Sequence, residues 1–101
     1  MVIRISGRHM DVTDALKAYA EQKSNKLTRY YDRIQEIEVI FNNKKDSIGV
    51  EIIVNGEHKN MFIAHADGSD AYGGIDGCVD KLERQLADHH KKIKNRKHPG
   101  D

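Results

Sequence analysis

"GRHMDVTDALKAYAEQKSNKLTRYY" (Gly7–Tyr31) repeats its apolar residues at helical spacing: Leu16, Tyr19, Ala20, Leu27 and Tyr30 share a stripe, with Lys23 in it or at its rim. Thr13 is a credible N-cap and Asp14 is favourable in a first turn, so a helix is predicted from Asp14 to about Tyr31. The segments on either side have a different period. "VIRIS" (Val2–Ser6) alternates Ile3 and Ile5 with Arg4 and Ser6, and "IQEIEVIFN" (Ile34–Asn42) alternates Ile37, Val39 and Phe41 with polar neighbours. A helix between two strands implies a right-handed crossover and a parallel pair.

Polar "NNKKDS" then breaks the chain before "IGVEIIVNGEHKNMFIAHA" (Ile48–Ala66), where Asn55-Gly56 between two apolar runs predicts a two-residue type I′ hairpin turn. From Asp70 onward, Ile75, Val79, Leu82, Leu86 and Ile93 form a second helical stripe, joined by Cys78 and, at its edge, His89; Ser69 or Asp67 is the expected cap. The predicted fold is therefore α+β in the order β-α-β-β-β-α, a four-stranded mixed sheet with two helices packed on one face. Residues 1–95 are expected to form a single domain and 96–101, with Pro99-Gly100, a short flexible tail. The uncovered sheet face would carry Ile40, Ile53 and one of the alternating sets Met61/Ile63 or Phe62/Ala64, either as scattered exposed residues or as a protein contact.

The chain has 101 residues, enough for one core without crosslinks. The lone Cys78 forbids an intrachain disulfide, and there is no signal-like or bilayer-length apolar run, so a cytoplasmic protein is expected. Seventeen Lys and Arg against sixteen Asp and Glu leave a net charge near +1, so any anionic partner must be recognised by charge distribution. On a wheel of about 100° per residue, Lys26, Arg33 and Arg29 fan out from Lys23 along one flank of the first helix, bordered by Tyr19 and Tyr30. On the second, Lys81, Arg84 and Lys92 lie to one side of the stripe, with Asp88 among them, and Asp76, Asp80 and Glu83 lie to the other. Segregation of this kind fits an anionic partner, with both basic flanks lining one groove; solvated surface cations are the alternative.

Catalytic chemistry finds little support. Cys78 falls on the core side and reads as a small hydrophobe, no two of the six His are spaced i, i+4, and "DAYGGIDG" matches neither dinucleotide nor Walker A phosphate loops. No enzyme, cofactor or metal site is expected. Gly73, Gly74 and Gly77 weaken the opening turns of a helix, and the wheel sets Gly74 and Gly77 on the strip Asp70, Gly74, Gly77, Lys81, Arg84, away from the core. Either RNA backbone comes close to that strip, or a weak first turn is tolerated.

"GRHMDVTDALKAYAEQKSNKL" (Gly7–Leu27) together with "DAYGGIDGCVDKLERQL" (Asp70–Leu86) resembles the ribosome hibernation promoting factor family, over essentially the full chain. The resemblance implies a stationary-phase or stress protein that sits on the small ribosomal subunit where tRNA and mRNA would lie and blocks translation by occupancy. It implies rRNA contacts from Lys23, Lys26 and Arg29 on the first helix and Lys81, Arg84, Lys91 and Lys92 on the second, with Tyr30 either a further contact or a core-edge aromatic. The short tail resembles the family's short form, associated with inactive ribosome dimers together with a separate modulation factor; a related inhibitor with a longer tail opposes dimers. The free protein is expected to be monomeric. Two departures stand out: the family usually has alanines at the positions of Gly73 and Gly74, and "ADHHKK" puts Asp88, His89 and His90 into a more uniformly basic end. A stand-alone double-stranded RNA module and a protein adaptor using Ile40 and Ile53 are the competing readings.

Overall fold

The alternating runs become strands and the periodic runs become helices. In the computed structural model, which describes residues 1–96 and side chains as far as Lys92, the order is β1 (Val2–Arg8), α1 (Asp14–Asn25), a 3-10 turn (Lys26–Arg29), β2 (Ile34–Asn43), β3 (Ile48–Gly56), β4 (Met61–Gly68) and α2 (Ala71–Arg96). The strands lie side by side as β1-β2-β3-β4. β1 is parallel to β2, with Ile3 opposite Ile37, and the remaining pairs are antiparallel. This is the expected mixed sheet. Apart from Arg96, which closes α2, the tail expected at 96–101 lies outside the described residues.

One core holds the layers together. Leu16, Ala20 and Leu27 from the first helical segment and Ile75, Cys78, Val79, Leu82 and Leu86 from α2 share a cluster with Ile37, Val39, Phe41, Val50, Ile52, Val54 and Ala64. Both helices therefore cover the same sheet face. On β4 the inward set is Phe62 and Ala64, and Met61 and Ile63 stay exposed on the other side.

Three local expectations are corrected. First, the helix predicted to reach Tyr31 is α-helical only to Asn25; the 3-10 turn that follows winds at about 120° per residue, which buries Leu27 and brings Tyr31 edge-on to Phe62 at 5.9 Å. Second, Asn55-Gly56 is not the hairpin turn. β3 runs through Gly56, whose missing side chain makes room for the Tyr31 ring, and the chain reverses at Glu57–Asn60, where Asn60 N donates to Glu57 O at 3.2 Å. The positive φ values of a type I′ turn fall on His58 (59°) and Lys59 (61°). Third, α2 is capped by Asp70, whose Oδ1 accepts from Tyr72 N at 3.1 Å; Asp67 is engaged instead by Lys44 at 2.7 Å. The Thr13 cap forms as expected, accepting from Leu16 N at 3.1 Å.

Ser24 is fully buried on α1 and its hydroxyl has no hydrogen-bond partner. Ser24→Ala is therefore expected to raise the unfolding free energy by about 1 kcal/mol, the cost of an unsatisfied buried hydroxyl. Replacing His58-Lys59 with Asn-Gly removes the steric cost of two left-handed residues and is expected to add roughly 1–2 kcal/mol. Chemical denaturation of each variant against the parent checks both.

Candidate nucleic-acid interface

The crossover that makes β1 and β2 parallel sets α1 beside one long edge of α2. That edge is the acidic one. Lys23 and Lys26 open onto a furrow whose other wall is Asp76, Val79, Asp80 and Glu83. Asp76 ties the two helices together: its Oδ1 accepts from the Tyr19 hydroxyl at 2.6 Å and stands 3.8 Å from Lys23 Nζ, while Lys23 lies 5.4 Å over the Tyr19 ring and Tyr72 packs edge-on to Tyr19. Hydrogen bonding to Asp76 raises the Tyr19 pKa above its ordinary value.

The second basic flank points away from this furrow. Lys81 Nζ donates to the carbonyl of His65 on β4 at 2.6 Å, and Gln85 Nε2 donates to Ile63 O at 2.9 Å, so this flank borders the outer edge of the sheet. Lys92 belongs to the same side, beside Phe62, Gln85, Asp88 and His89. Arg84 rides on the crest of α2 and pairs with Asp80 at 3.2 Å; an exposed i, i+4 pair of this kind contributes only a few tenths of a kcal/mol. The expected single groove lined by both basic flanks does not form. Core burial sets how α2 is rotated, and that rotation turns Asp76 and Glu83 toward α1.

Where cations do converge is the far end of the helix layer. The 3-10 turn meets the second half of α2 around a cleft lined by Arg29, Tyr30, Ala87, His90 and Lys91. Arg29 also borders a neighbouring hollow with Gln22, Asn25, Lys26 and Thr28, so Lys26, Arg29, His90 and Lys91 follow one another along the surface. Tyr30 is 38% exposed there, and Glu83, as hydrogen-bond acceptor and negative neighbour, raises its pKa. The two adjacent histidines separate: His90 is exposed at the cleft, whereas His89 packs its ring edge-on to Tyr31 (5.4 Å) and Phe62 (5.1 Å). The sequence reading did not assign His90, Gln22, Asn25 or Thr28 to the site. Gln22, Asn25, Lys26 and Arg29 are spaced i, i+3, i+4 and i+7, so helical periodicity already sets them on one face.

The glycines divide as well. Gly74 is buried, contrary to the wheel placement, and a Cβ there would sit 2.5 Å from Val50 Cγ2 on β3. Close contact between helix and sheet therefore accounts for Gly74, which is not a place for RNA backbone to approach. Gly77 is half-buried and its Cβ would meet Ala66 at an ordinary 3.7 Å; Gly73 is exposed.

The thiol of Cys78 is buried in the core, donates to Val50 O at 3.3 Å, and has its pKa pushed up to about 11, chiefly by burial. Thiolate chemistry is thus disfavoured at neutral pH. Among the described residues no three His, Cys, Asp or Glu side chains gather as a metal site, and no helix is long and apolar enough to cross a membrane.

Architecture and surface together define a small α+β domain with a one-sided helix layer, at one end of which Lys26, Arg29, His90 and Lys91 converge. The chain belongs to the family described as Sigma 54 modulation protein / S30EA ribosomal protein, whose model matches residues 3–94. It is 39% identical over 92 residues to the ribosome hibernation promoting factor of Azotobacter vinelandii, covering 91% of this chain and 85% of that one. With the Escherichia coli K12 protein of the same name, identity is 36% over 96 residues, covering 93% and 98% respectively. Among solved structures it is similar to a ribosomal subunit interface protein from Coxiella burnetii (TM-score 0.83, 28% identity, 90% of this chain and 99% of that one). It also matches the Thermus thermophilus Protein Y N-terminal domain (TM-score 0.80, 30% identity, 88% and 99%).

The three glycines give opposite expectations for one substitution. Gly73→Ala and Gly77→Ala have room for the methyl and should each add about 0.5–1 kcal/mol of stability from helix propensity. Gly74→Ala should lower stability by about 1 kcal/mol, because overpacking a stiff buried valine outweighs that gain. Thermal melts of the three single variants read the signs directly.

Proposed function

We propose that the protein is a ribosome hibernation factor: it binds the small ribosomal subunit in the channel used by tRNA and mRNA, contacts rRNA through its helix layer, and silences translation by occupancy in stress or stationary phase. Membership of the family supports the hibernation role, as does the near-complete coverage of relatives bearing that name. The observation that carries the interface is the run of Lys26, Arg29, His90 and Lys91 beside the exposed Tyr30 where the two helical segments meet. Phosphates of structured RNA pair with such cations, and an aromatic ring offers a face on which an unstacked base rests.

In this reading Lys26, Arg29 and Lys91 are primary phosphate contacts, Arg84 reaches RNA from the crest, and Lys81 and Lys92 do so from the outer flank. Lys23 is partly neutralised by Asp76 and acts as much to hold the helices together. Gly77, next to Lys81, keeps the outer flank low. No bond is made or broken. We further propose that, as a relative of the Escherichia coli hibernation promoting factor, it favours inactive ribosome dimers together with a separate modulation factor.

Counterion release makes such binding steeply dependent on salt: with about five phosphate contacts, affinity falls roughly 500-fold between ~50 and ~200 mM salt. Lys26→Ala should flatten the log–log slope by about one unit or slightly less, and Arg84→Ala and Lys23→Ala each by less, because Asp80 and Asp76 already serve them as counterions. Co-sedimentation with small subunits at graded salt measures this, and salt-insensitive binding would overturn the mechanism. The same gradients run on ribosomes from starved cells show whether paired particles accumulate with the protein.

A further inference from the structure

The cleft at the end of the helix layer is built from fixed cations with one exception. Arg29 and Tyr30 reach it from the 3-10 turn, and Ala87, His90 and Lys91 reach it from α2; no carboxylate is among its lining residues. Arginine and lysine side chains keep their charge at neutral pH, whereas an imidazole gains and loses its charge between about pH 5 and 8. Ala87, one turn before His90, offers only a methyl group, and His90 stays exposed at the cleft.

The acidic groups of this stretch of α2 are directed elsewhere. Glu83 accepts from the Tyr30 hydroxyl, Asp80 pairs with Arg84 at 3.2 Å, and Asp88 lies on the opposite flank with Gln85, His89 and Lys92. Among the described residues, His90 therefore has no carboxylate partner, and the charged groups beside it are Arg29 and Lys91. The other described histidines are placed differently. His65 Nε2 stands 2.9 Å from Asp67, His89 packs edge-on to Tyr31 and Phe62, and His9 and His58, in the connections after β1 and β3, do not line the cleft.

We propose that His90 is a phosphate contact switched on by protonation, so that this end of the helix layer grips RNA more tightly as pH falls. The inference rests on the hibernation reading for its ligand. A neutral imidazole offers a phosphate one N–H and no charge; the imidazolium offers two N–H donors and a positive charge. A phosphate held by Arg29 and Lys91 brings the cleft the negative charge it lacks, and that charge favours the protonated ring in the complex. Binding then takes up a proton, so affinity rises as pH falls until the free protein is itself protonated at His90. The contribution is complete at low pH and is lost as pH rises through the range where the bound ring releases its proton. Arg29 and Lys91 hold RNA at either pH, and His90 sets how tightly.

The test is co-sedimentation of the full chain with small subunits at about pH 6 and about pH 8, each at graded salt. The parent is expected to bind about threefold to fivefold tighter at the lower pH, as one exposed ion pair implies. Its log–log salt slope should be steeper there by about 0.7–0.9, one further counterion being released. His90→Gln should erase both differences, and His90→Lys should bind at the higher pH as tightly as the parent does at the lower. His89→Gln should leave both differences in place. A pH difference undiminished in His90→Gln, one that His89→Gln removes, or a parent whose affinity and slope are the same at both pH values overturns the proposal. An NMR pH titration of the His90 ring in the full chain, with and without a synthetic RNA hairpin, gives a reading independent of the ribosome. The titration midpoint should move to higher pH when the hairpin is present, and an unmoved midpoint also overturns the proposal. A parent whose midpoint moves with the hairpin but which does not sediment with small subunits upholds the proton-linked contact and contradicts the hibernation reading alone.

Discussion

Everything in this molecule follows from a sheet that is buried on one side only. The β1–α1–β2 crossover commits α1 to one face, and the apolar stripe of α2 must then cover what remains of that same face. Ile75, Val79, Leu82 and Leu86 each contribute about 1.5–3 kcal/mol of gross burial energy, against a few tenths for an exposed pair such as Arg84 with Asp80. The core therefore decides how α2 is rotated, and the surface charges go wherever that rotation carries them. That is why Asp76 and Glu83, and not Lys81, line the furrow beside α1. The same constraint leaves the opposite face uncovered, with Ile40 and Ile53 half-buried and Met61 and Ile63 exposed on it.

The sequence was most legible where a single period held. Alternation in Val2–Ser6 and Ile34–Asn42 and the helical stripes of Leu16–Ala20 and Ile75–Leu86 led to the right elements, pairings and layers, because burial on one face leaves that imprint directly. It misled where tertiary contacts override local preference. Asn55-Gly56 carries the strongest short-range turn signal, yet Gly56 is needed flat under the Tyr31 ring, and the turn moves to His58-Lys59 despite their positive φ. Gly74 was misplaced because a wheel gives direction but not distance: α2 comes close enough to β3 for Val50 to occupy the space a side chain would need.

The candidate site was legible in part. Composition and wheel singled out the basic residues of both helices, but their grouping depends on the switch from α to 3-10 winding after Asn25, which no residue pattern announces. That switch carries Arg29 and Tyr30 to the end of α2, where His90 and Lys91 join them. Two neighbouring histidines diverge because consecutive residues of a helix point about 100° apart, one at the cleft and the other against Tyr31 and Phe62.

The central claim is that the helix layer, at the end where Lys26, Arg29 and Lys91 gather, is the side that meets the ribosome. Lysine reactivity of the protein bound to small subunits, read by acetylation and mass spectrometry, tests it most directly. The account predicts strong protection of Lys26 and Lys91 on binding, while Lys44 and Lys45, in the loop between β2 and β3, stay as reactive as in the free protein. Protection of Lys44 and Lys45 with Lys26 and Lys91 left reactive would contradict it.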